Sequence, residues 1–295
     1  MKVALIANPY AGGKKVGKLL PVIEKKLAAN RIDYQTHLSC YHGHILKIAS
    51  ALNIKQYDAI AAVGGDGSNF HILNGLLSRF KPEEIPPIAV IPVGTGNSFA
   101  RDLNIHTFED GIRSLVKNNP RWVDVCSFTQ GTKKKYFVNI LGLGFATDVA
   151  KTAQKFKFLK NFSYLIGVFY RAARLSCHHM ELEIDGKPLS QENCFVEFCN
   201  SRFTGGNMLI APDAEIDDGF MDIIIAEKVS RTTLLTTLPQ IYTGTHIRHP
   251  AVKHIKAQKA TIKTWPGKTL SPDGEIIGVT PTTISVHHKM IRYLR

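Results

Sequence analysis

The stretch Ala59-Ile60-Ala61-Ala62-Val63-Gly64-Gly65-Asp66-Gly67-Ser68-Asn69-Phe70-His71-Ile72-Leu73-Asn74-Gly75 runs an apolar segment straight into three glycines grouped round one aspartate. Helical periodicity follows at once, marked by Phe70, Leu73, Leu76 and Leu77. The stretch therefore reads as a strand, a tight turn and a helix start, with a carboxylate in the turn. Glycines without a Cβ let backbone N–H groups approach an anion, and the helix N-terminus adds partial positive charge. Asp66 would repel phosphate there unless it holds a metal ion or takes a proton. Read alone, the turn suits equally well a plain connection whose aspartate caps the helix.

Working outward, Val3–Ala7, Ile32–Leu38, Asp58–Val63 and Pro87–Pro92 read as strands. Helices are expected over Lys14–Ala29, Gly43–Leu52, Asn69–Arg79 and Phe108–Lys117, with a short one near Asn97. This alternation predicts a parallel sheet covered on both faces, whose ligands gather beyond the carboxyl ends of its strands. From Arg121 the pattern changes to short alternating runs: Trp122–Phe128, Tyr136–Leu141, Met180–Ile184, Phe195–Cys199, Phe220–Ala226, Ala260–Trp265 and Thr282–His287. Turns such as Asp185-Gly186 and Asp218-Gly219 separate several of them, as in an antiparallel sandwich or barrel. Helical insertions are expected over Phe145–Leu175 and near Thr232–Tyr242. The composition shift at Asn119-Pro120 divides the chain into domains 1–120 and 121–295, the last residues being free to return to the first domain.

At 295 residues and 44% hydrophobic content the chain can bury a sizeable core. Its net charge of +13 implies anionic partners. Nucleic acid is not among those expected, because no nucleic-acid-binding motif accompanies the charge. No acid occurs between Asp148 and Glu181, or between Glu227 and Asp273, which leaves two long basic stretches. The cysteines, Cys40, Cys126, Cys177, Cys194 and Cys199, form no CxxC pair, so a reducing compartment is expected, with neither a disulfide framework nor a zinc site. Met1–Ala7 enters a strand with no cleavable leader, and no apolar run is long enough to span a bilayer. A cytoplasmic protein is expected.

Two further strand ends carry chemistry. The first strand leads into Asn8-Pro9-Tyr10-Ala11-Gly12-Gly13-Lys14-Lys15, suited to a nucleotide phosphate although the Walker A spacing is missing. The fourth leads into Pro92-Val93-Gly94-Thr95-Gly96-Asn97-Ser98-Phe99-Ala100-Arg101, with Asn97 or Ser98 as a helix cap.

With these motifs in view, the chain resembles the catalytic domain of the diacylglycerol kinase family, which sits with sphingosine, NAD and phosphofructokinases in a larger superfamily. The resemblance rests on NPxAGGK at 8–14, GGDG at 64–67, GTGNSFAR at 94–101, the segment Ala211–Asp222 and Ser271-Pro272-Asp273-Gly274-Glu275. It implies an α/β protein: a Rossmann-like parallel-sheet domain, then an antiparallel β-sandwich domain, with an active-site cleft between them. ATP would be held by Asn8, Pro9, Gly12, Gly13, Lys14, Ser39, Gly64, Gly65, Asp66, Gly67, Ser68, Asn69, Phe70, Gly94, Thr95, Gly96 and Asn97. A Mg²⁺ ion would sit in the loop of Glu215, Asp218 and Phe220, with Asp218 giving its carboxylate and the other two mainly backbone oxygens. Glu275 would accept the proton of the attacked hydroxyl, while Asp66 would coordinate Mg²⁺ on ATP or orient that hydroxyl. The commoner family text has glutamate where this chain has His71, which is expected either to mark a subfamily with a different acceptor or to substitute structurally within the helix.

The implied function is an ATP-dependent lipid kinase with a diacylglycerol-like acceptor, visiting an anionic membrane surface. The basic aromatic stretch Lys151–Arg174 is expected to dock there or to pack on the sandwich. A second copy of the chain is a further expected partner. The alternatives are a kinase for sphingoid bases or other lipids, a kinase for a soluble metabolite such as NAD, and a nucleotide-binding regulatory protein without catalysis.

Overall fold

The computed structural model describes residues 1–155, Tyr170 and 175–295. Apart from its first residues and Tyr170, the 151–174 stretch lies outside the described residues, and so does most of the expected Phe145–Leu175 insertion. The chain divides into two compact units. Unit 1 comprises Met1–Val125, Ile216–Asp218 and His287–Arg295; unit 2 comprises Cys126–Glu215 and Gly219–Val286.

Unit 1 is built on the parallel strands β1 (Lys2–Ala7), β2 (Asp33–Leu38), β3 (Ala59–Gly64) and β4 (Ile88–Pro92), in the order β2-β1-β3-β4. Every residue of β3 and β4 is buried, as continuous apolar runs require when helices cover both faces. On one face α1 (Ala11–Ala29) brings Val16, Leu20, Ile23 and Leu27, and α5 (Phe108–Lys117) brings Ile112 and Leu115, against Val3, Leu5, Ala61 and Val63. On the other lie α2 (His44–Ala51) and α3 (Asp66–Leu77). The short α4 (Ser98–Asp102) follows β4. Thr107 caps α5 reciprocally: its hydroxyl accepts from the Asp110 N–H at 3.1 Å, and Asp110 accepts from the Thr107 N–H at 3.0 Å.

Unit 2 is antiparallel. Its axis is β9 (Lys187–Cys199), whose first half pairs with β8 (His178–Ile184) and whose second half pairs with β7 (Ile140–Gly144). A two-stranded ribbon, β10 (Phe203–Thr204) and β11 (Met208–Leu209), follows β9. On its other side β9 pairs with β12 (Met221–Glu227), and β12 with β13 (Val252–Ala257). The left-handed pair Asp185-Gly186 (φ 46° and 79°) closes the β8–β9 hairpin, as the motif predicts. β14 (Lys259–Thr264) pairs with β8, and β15 (Leu270–Pro272) with β7. β5 (Pro120–Gln130) pairs with β6 (Lys133–Phe137). The last strand, β16 (Thr282–Leu294), pairs first with β14 in unit 2 and ends beside β4 in unit 1, where Tyr293 faces Ile88. The helix α6 (Phe145–Lys155) leaves β7, and α7 (Arg231–Thr237) follows β12. No described helix is long and apolar enough to cross a membrane.

Three expectations need correction. The run Tyr136–Leu141 is not one strand: it breaks at Val138-Asn139, between β6 and β7. The reason lies far away in sequence, in the carboxylate of Asp273, which accepts the Val138 and Asn139 N–H groups. Val252–Ala257 is a strand that the alternation did not reveal, because it is the edge partner of β12 and only Ala257 of its residues is buried. Cys177 and Cys194 form a disulfide, contrary to the expected absence of one. The register that sets His178 opposite Asn193 brings those two cysteines face to face at the next position, something that scattered spacing in the sequence does not display.

Candidate active site

In unit 1 the chain leaves β1 toward β2 on one side and leaves β3 toward β4 on the other, so the strand order reverses between β1 and β3. That is the switch point at which parallel sheets bind ligands beyond the strand ends. The loop after β1 opens there. Asn8 accepts the Tyr10 N–H on its side chain at 3.0 Å, and Gly12, Gly13 and Lys14 follow with φ of 59°, 68° and 71°. These left-handed residues distort the start of α1, so the expected helix from Lys14 becomes regular only after it. A Cβ on Gly12 would strike the Val93 carbonyl, so this loop lies directly on the end of β4.

The loops after β3 and β4 touch through bare glycines. A Cβ on Gly94 would lie 2.5 Å from the Gly65 Cα and 2.9 Å from its nitrogen. Asn97 braces its own loop, accepting from the Gly94 N–H at 3.0 Å and donating to the Gly94 carbonyl at 2.9 Å. Asp66 joins the two loops: one carboxylate oxygen accepts the Ser98 N–H at 3.0 Å, the other the Phe99 N–H at 3.2 Å. The aspartate therefore caps α4, a different helix from the one it begins. Burial pushes its carboxyl above the usual aspartate range, opposed by those N–H groups and the Ser98 hydroxyl.

The expected nucleotide contacts separate into two sets. Asn8, Pro9, Gly12, Gly13, Lys14, Gly65, Asp66, Gly67, Gly94, Thr95, Gly96 and Asn97 reach solvent at these loops. Ser39, Gly64, Ser68, Asn69 and Phe70 are buried. The Asn69 side chain accepts the Tyr293 hydroxyl at 3.1 Å, and Tyr293 meets Phe99 edge to face at 4.9 Å. Asn69 thus braces α3 against the last strand, a role its motif does not announce. His71 lies on α3, edge-on to His42 at 6.0 Å.

In unit 2 the turn carrying Glu275 is fixed by its neighbour. Asp273 (φ 47°) and Gly274 (φ 83°) turn left-handed, and the Glu275 N–H donates to the Pro272 carbonyl at 2.8 Å. The buried Asp273 carboxylate accepts the N–H groups of Val138, Asn139 and Ile140 at 3.2, 2.9 and 3.1 Å. It takes the place of a strand partner there, which is why the expected strand breaks. Glu275 is left half-buried at the corner.

Beside this corner lies a cavity of about 400 Å³, walled by Ile140, Phe145, Phe195, Met208, Ile210, Leu235, Leu238 and Ile241, with Ser271, Asp273 and Gly274 on its polar side. One carboxyl, Glu197, lies in its apolar wall. Neither the cavity nor Glu197 was legible in the sequence, since β9 reads there as a buried strand.

The loop assigned to Mg²⁺ is held by acids other than those named for the ion. Arg121 forks onto Asp217 at 2.9 and 2.7 Å, and its hydrogen bonds lower the Asp217 pKa. Asp222 binds His254, raising the imidazole pKa, with Asp213 3.9 Å from the other ring nitrogen. Glu215 and Phe220 are exposed and Asp218 is half-buried. Among the described residues no three acid, histidine or cysteine side chains cluster to hold a metal. Any ion here would depend on one carboxylate and main-chain oxygens.

Residues 2–128 match the model of the diacylglycerol kinase catalytic domain, and residues 139–295 that of the YegS C-terminal NAD kinase beta sandwich-like domain. A diacylglycerol kinase of Bacillus subtilis is 27% identical over 95% of this chain and 91% of its own length. Sphingosine kinase 1 of Arabidopsis thaliana is 24% identical over 93% of this chain and 66% of its own. A crystal structure from Bacillus anthracis described as a candidate diacylglycerol kinase superposes with a TM-score of 0.81 at 25% identity, covering 99% of this chain and 96% of that one. An NAD kinase of Archaeoglobus fulgidus in complex with ATP shares the fold, with a TM-score of 0.55 at 13% identity over 100% of this chain and 94% of that one.

Proposed function

Because the chain belongs to the diacylglycerol kinase catalytic-domain family with a YegS-type C-terminal domain, we propose that it transfers the γ-phosphate of ATP to the hydroxyl of a diacylglycerol-like lipid. The observation that carries the lipid reading is the cavity of unit 2, apolar along its walls and ending at the Asp273-Gly274 corner one residue before Glu275.

Phosphoryl transfer asks a protein for positioning and for charge on the phosphate oxygens rather than for covalent chemistry. Unit 1 supplies the nucleotide's place, where the glycine backbones of the β1, β3 and β4 loops leave room for phosphate and Lys14 adds a cation. Asp66 holds two of those loops in register through the Ser98 and Phe99 N–H groups. Unit 2 supplies the acceptor's place: the apolar walls take the acyl chain, and Glu275 accepts the hydroxyl proton as the bond to phosphorus forms. The turn built on Asp273 fixes where that base stands. Asp218, with the main-chain oxygens of Glu215 and Phe220, would hold the Mg²⁺ ion that the family implies, whose charge would neutralise nearby phosphate or carboxylate oxygens. The net charge of +13 suits a protein that collects its acceptor from an anionic membrane surface.

Labelled ATP tested against diacylglycerol, sphingosine, phosphatidylglycerol and NAD decides the matter. Label is expected on diacylglycerol in mixed micelles. Label on NAD and on no lipid would install the metabolite kinase instead. ATP binding without transfer to any acceptor would leave the regulatory reading.

A further inference from the structure

Glu197 is 5% exposed and sits in the second half of β9, between Gly142 of β7 and Ile224 of β12. Its carboxyl lies over the bare Cα of Gly142: a Cβ there would come within 2.5 and 2.7 Å of the two oxygens. The residue lines the cavity beside Phe195, Met208 and Ile210. Burial alone acts on its titration, with no hydrogen bond from the described residues holding it down, and pushes the pKa up to about 8. The neighbouring positions of this wall are Ile140, Phe195 and Ile224, so a branched apolar side chain would satisfy the strand. A carboxyl instead costs desolvation free energy that nothing in the described protein returns.

We propose that Glu197 is a specificity-determining residue of the acceptor pocket, donating its carboxyl O–H to an uncharged oxygen, such as an ester carbonyl, of the lipid whose chain fills the cavity. This rests on the lipid-kinase reading and names the chemistry the pocket selects. A neutral carboxylic acid has one proton to give, and a carbonyl oxygen takes it without charge entering the apolar wall. An ammonium lipid would require the acid to ionise where no donor completes a carboxylate's shell. Asp273, the other carboxylate of the lining, is already held by three backbone N–H groups and does not compete for the ligand.

Among the described residues, no titratable group round Glu197 donates a hydrogen bond to its carboxyl. On β9, Cys199 is a thiol pushed up by burial and by the charges of Glu197 and Asp222. On β12, Asp222 is bound to His254 of β13. β7 offers no titratable side chain between Ile140 and Gly144. Across the cavity stand Tyr242 and Asp273.

The test measures transfer from ATP to dioctanoylglycerol and to sphingosine in mixed micelles, using the full chain, from about pH 6.5 to about pH 9.5. Glu197→Leu is expected to raise KM for dioctanoylglycerol about tenfold, the worth of one hydrogen bond, and to leave kcat within about twofold. Glu197→Gln keeps an N–H donor and is expected to stay within about threefold of the wild-type KM. The sign follows from the acid: the donor is present below about pH 8, so the wild-type KM climbs above it, whereas the KM of Glu197→Gln does not. A cooperative melt of each variant confirms folding, and a purely structural role would move the melt without the KM-against-kcat split or the pH profile. An unchanged KM in Glu197→Leu overturns the proposal and leaves the kinase reading standing. So does a wild-type preference for sphingosine that Glu197→Gln abolishes. Transfer to neither lipid overturns the lipid-kinase reading itself, and this proposal with it.

Discussion

At Asp66 both carboxylate oxygens accept backbone N–H groups of the β4 loop, through Ser98 and Phe99. An asparagine offers one oxygen and sets an N–H2 against the other donor. Asp66→Asn is therefore expected to abolish phosphate transfer and to lower stability by about 1–3 kcal/mol, read by labelled-ATP assay and thermal melting. Normal turnover in that variant would remove Asp66 from the reaction. The sequence marked this residue by its awkward charge among glycines and, read alone, as a cap for its own helix. The helix it caps instead begins 32 residues later. Two carboxyls of unit 2 make the same point from opposite sides. Asp273 receives three backbone N–H groups and Glu197 none, although both line one cavity. Residue type and motif say nothing of that difference, because the donors come from a segment some 135 residues away.

Among elements, the decisive ones are the loops at the strand ends of unit 1. Their glycines are needed where backbone meets backbone, as at Gly94 and Gly65, and not only where an anion would approach. Gly94→Ala would force those loops apart. It is expected to cost about 1–3 kcal/mol of stability, the usual price of overpacking. ATP affinity is expected to fall with it, measured by titration calorimetry, while circular dichroism stays unchanged. Unaltered ATP affinity would detach this contact from the proposed nucleotide site. The strand–turn–helix order of this unit was legible because parallel strands buried on both faces leave continuous apolar runs. The antiparallel unit was less so. An edge strand such as β13 shows little alternation, and the break between β6 and β7 is imposed by a distant carboxylate.

For the whole molecule, charge is the property that reaches furthest. The acid-free stretch from Lys228 to Pro272 belongs to the described residues and carries part of the net +13. The protein is expected to sediment with vesicles containing phosphatidylglycerol at low salt and to be released as ionic strength rises and the screening length drops to about 8 Å and below. Retention at high salt would point to apolar insertion, and no binding at low salt would remove the membrane from the account.

The sequence by itself determined the fold class and the positions of the glycine-rich loops at the strand ends, because periodicity and glycine placement are local consequences of strand and helix geometry. It also pointed, through several motifs in order, to the family. Only the tertiary structure decided that Asp66 fastens two loops together, that Asn69 and Phe70 belong to the core, that Cys177 meets Cys194, and that a buried Glu197 faces a cavity. Each of those depends on which distant backbone a side chain meets once strands are in register, and no local pattern encodes that.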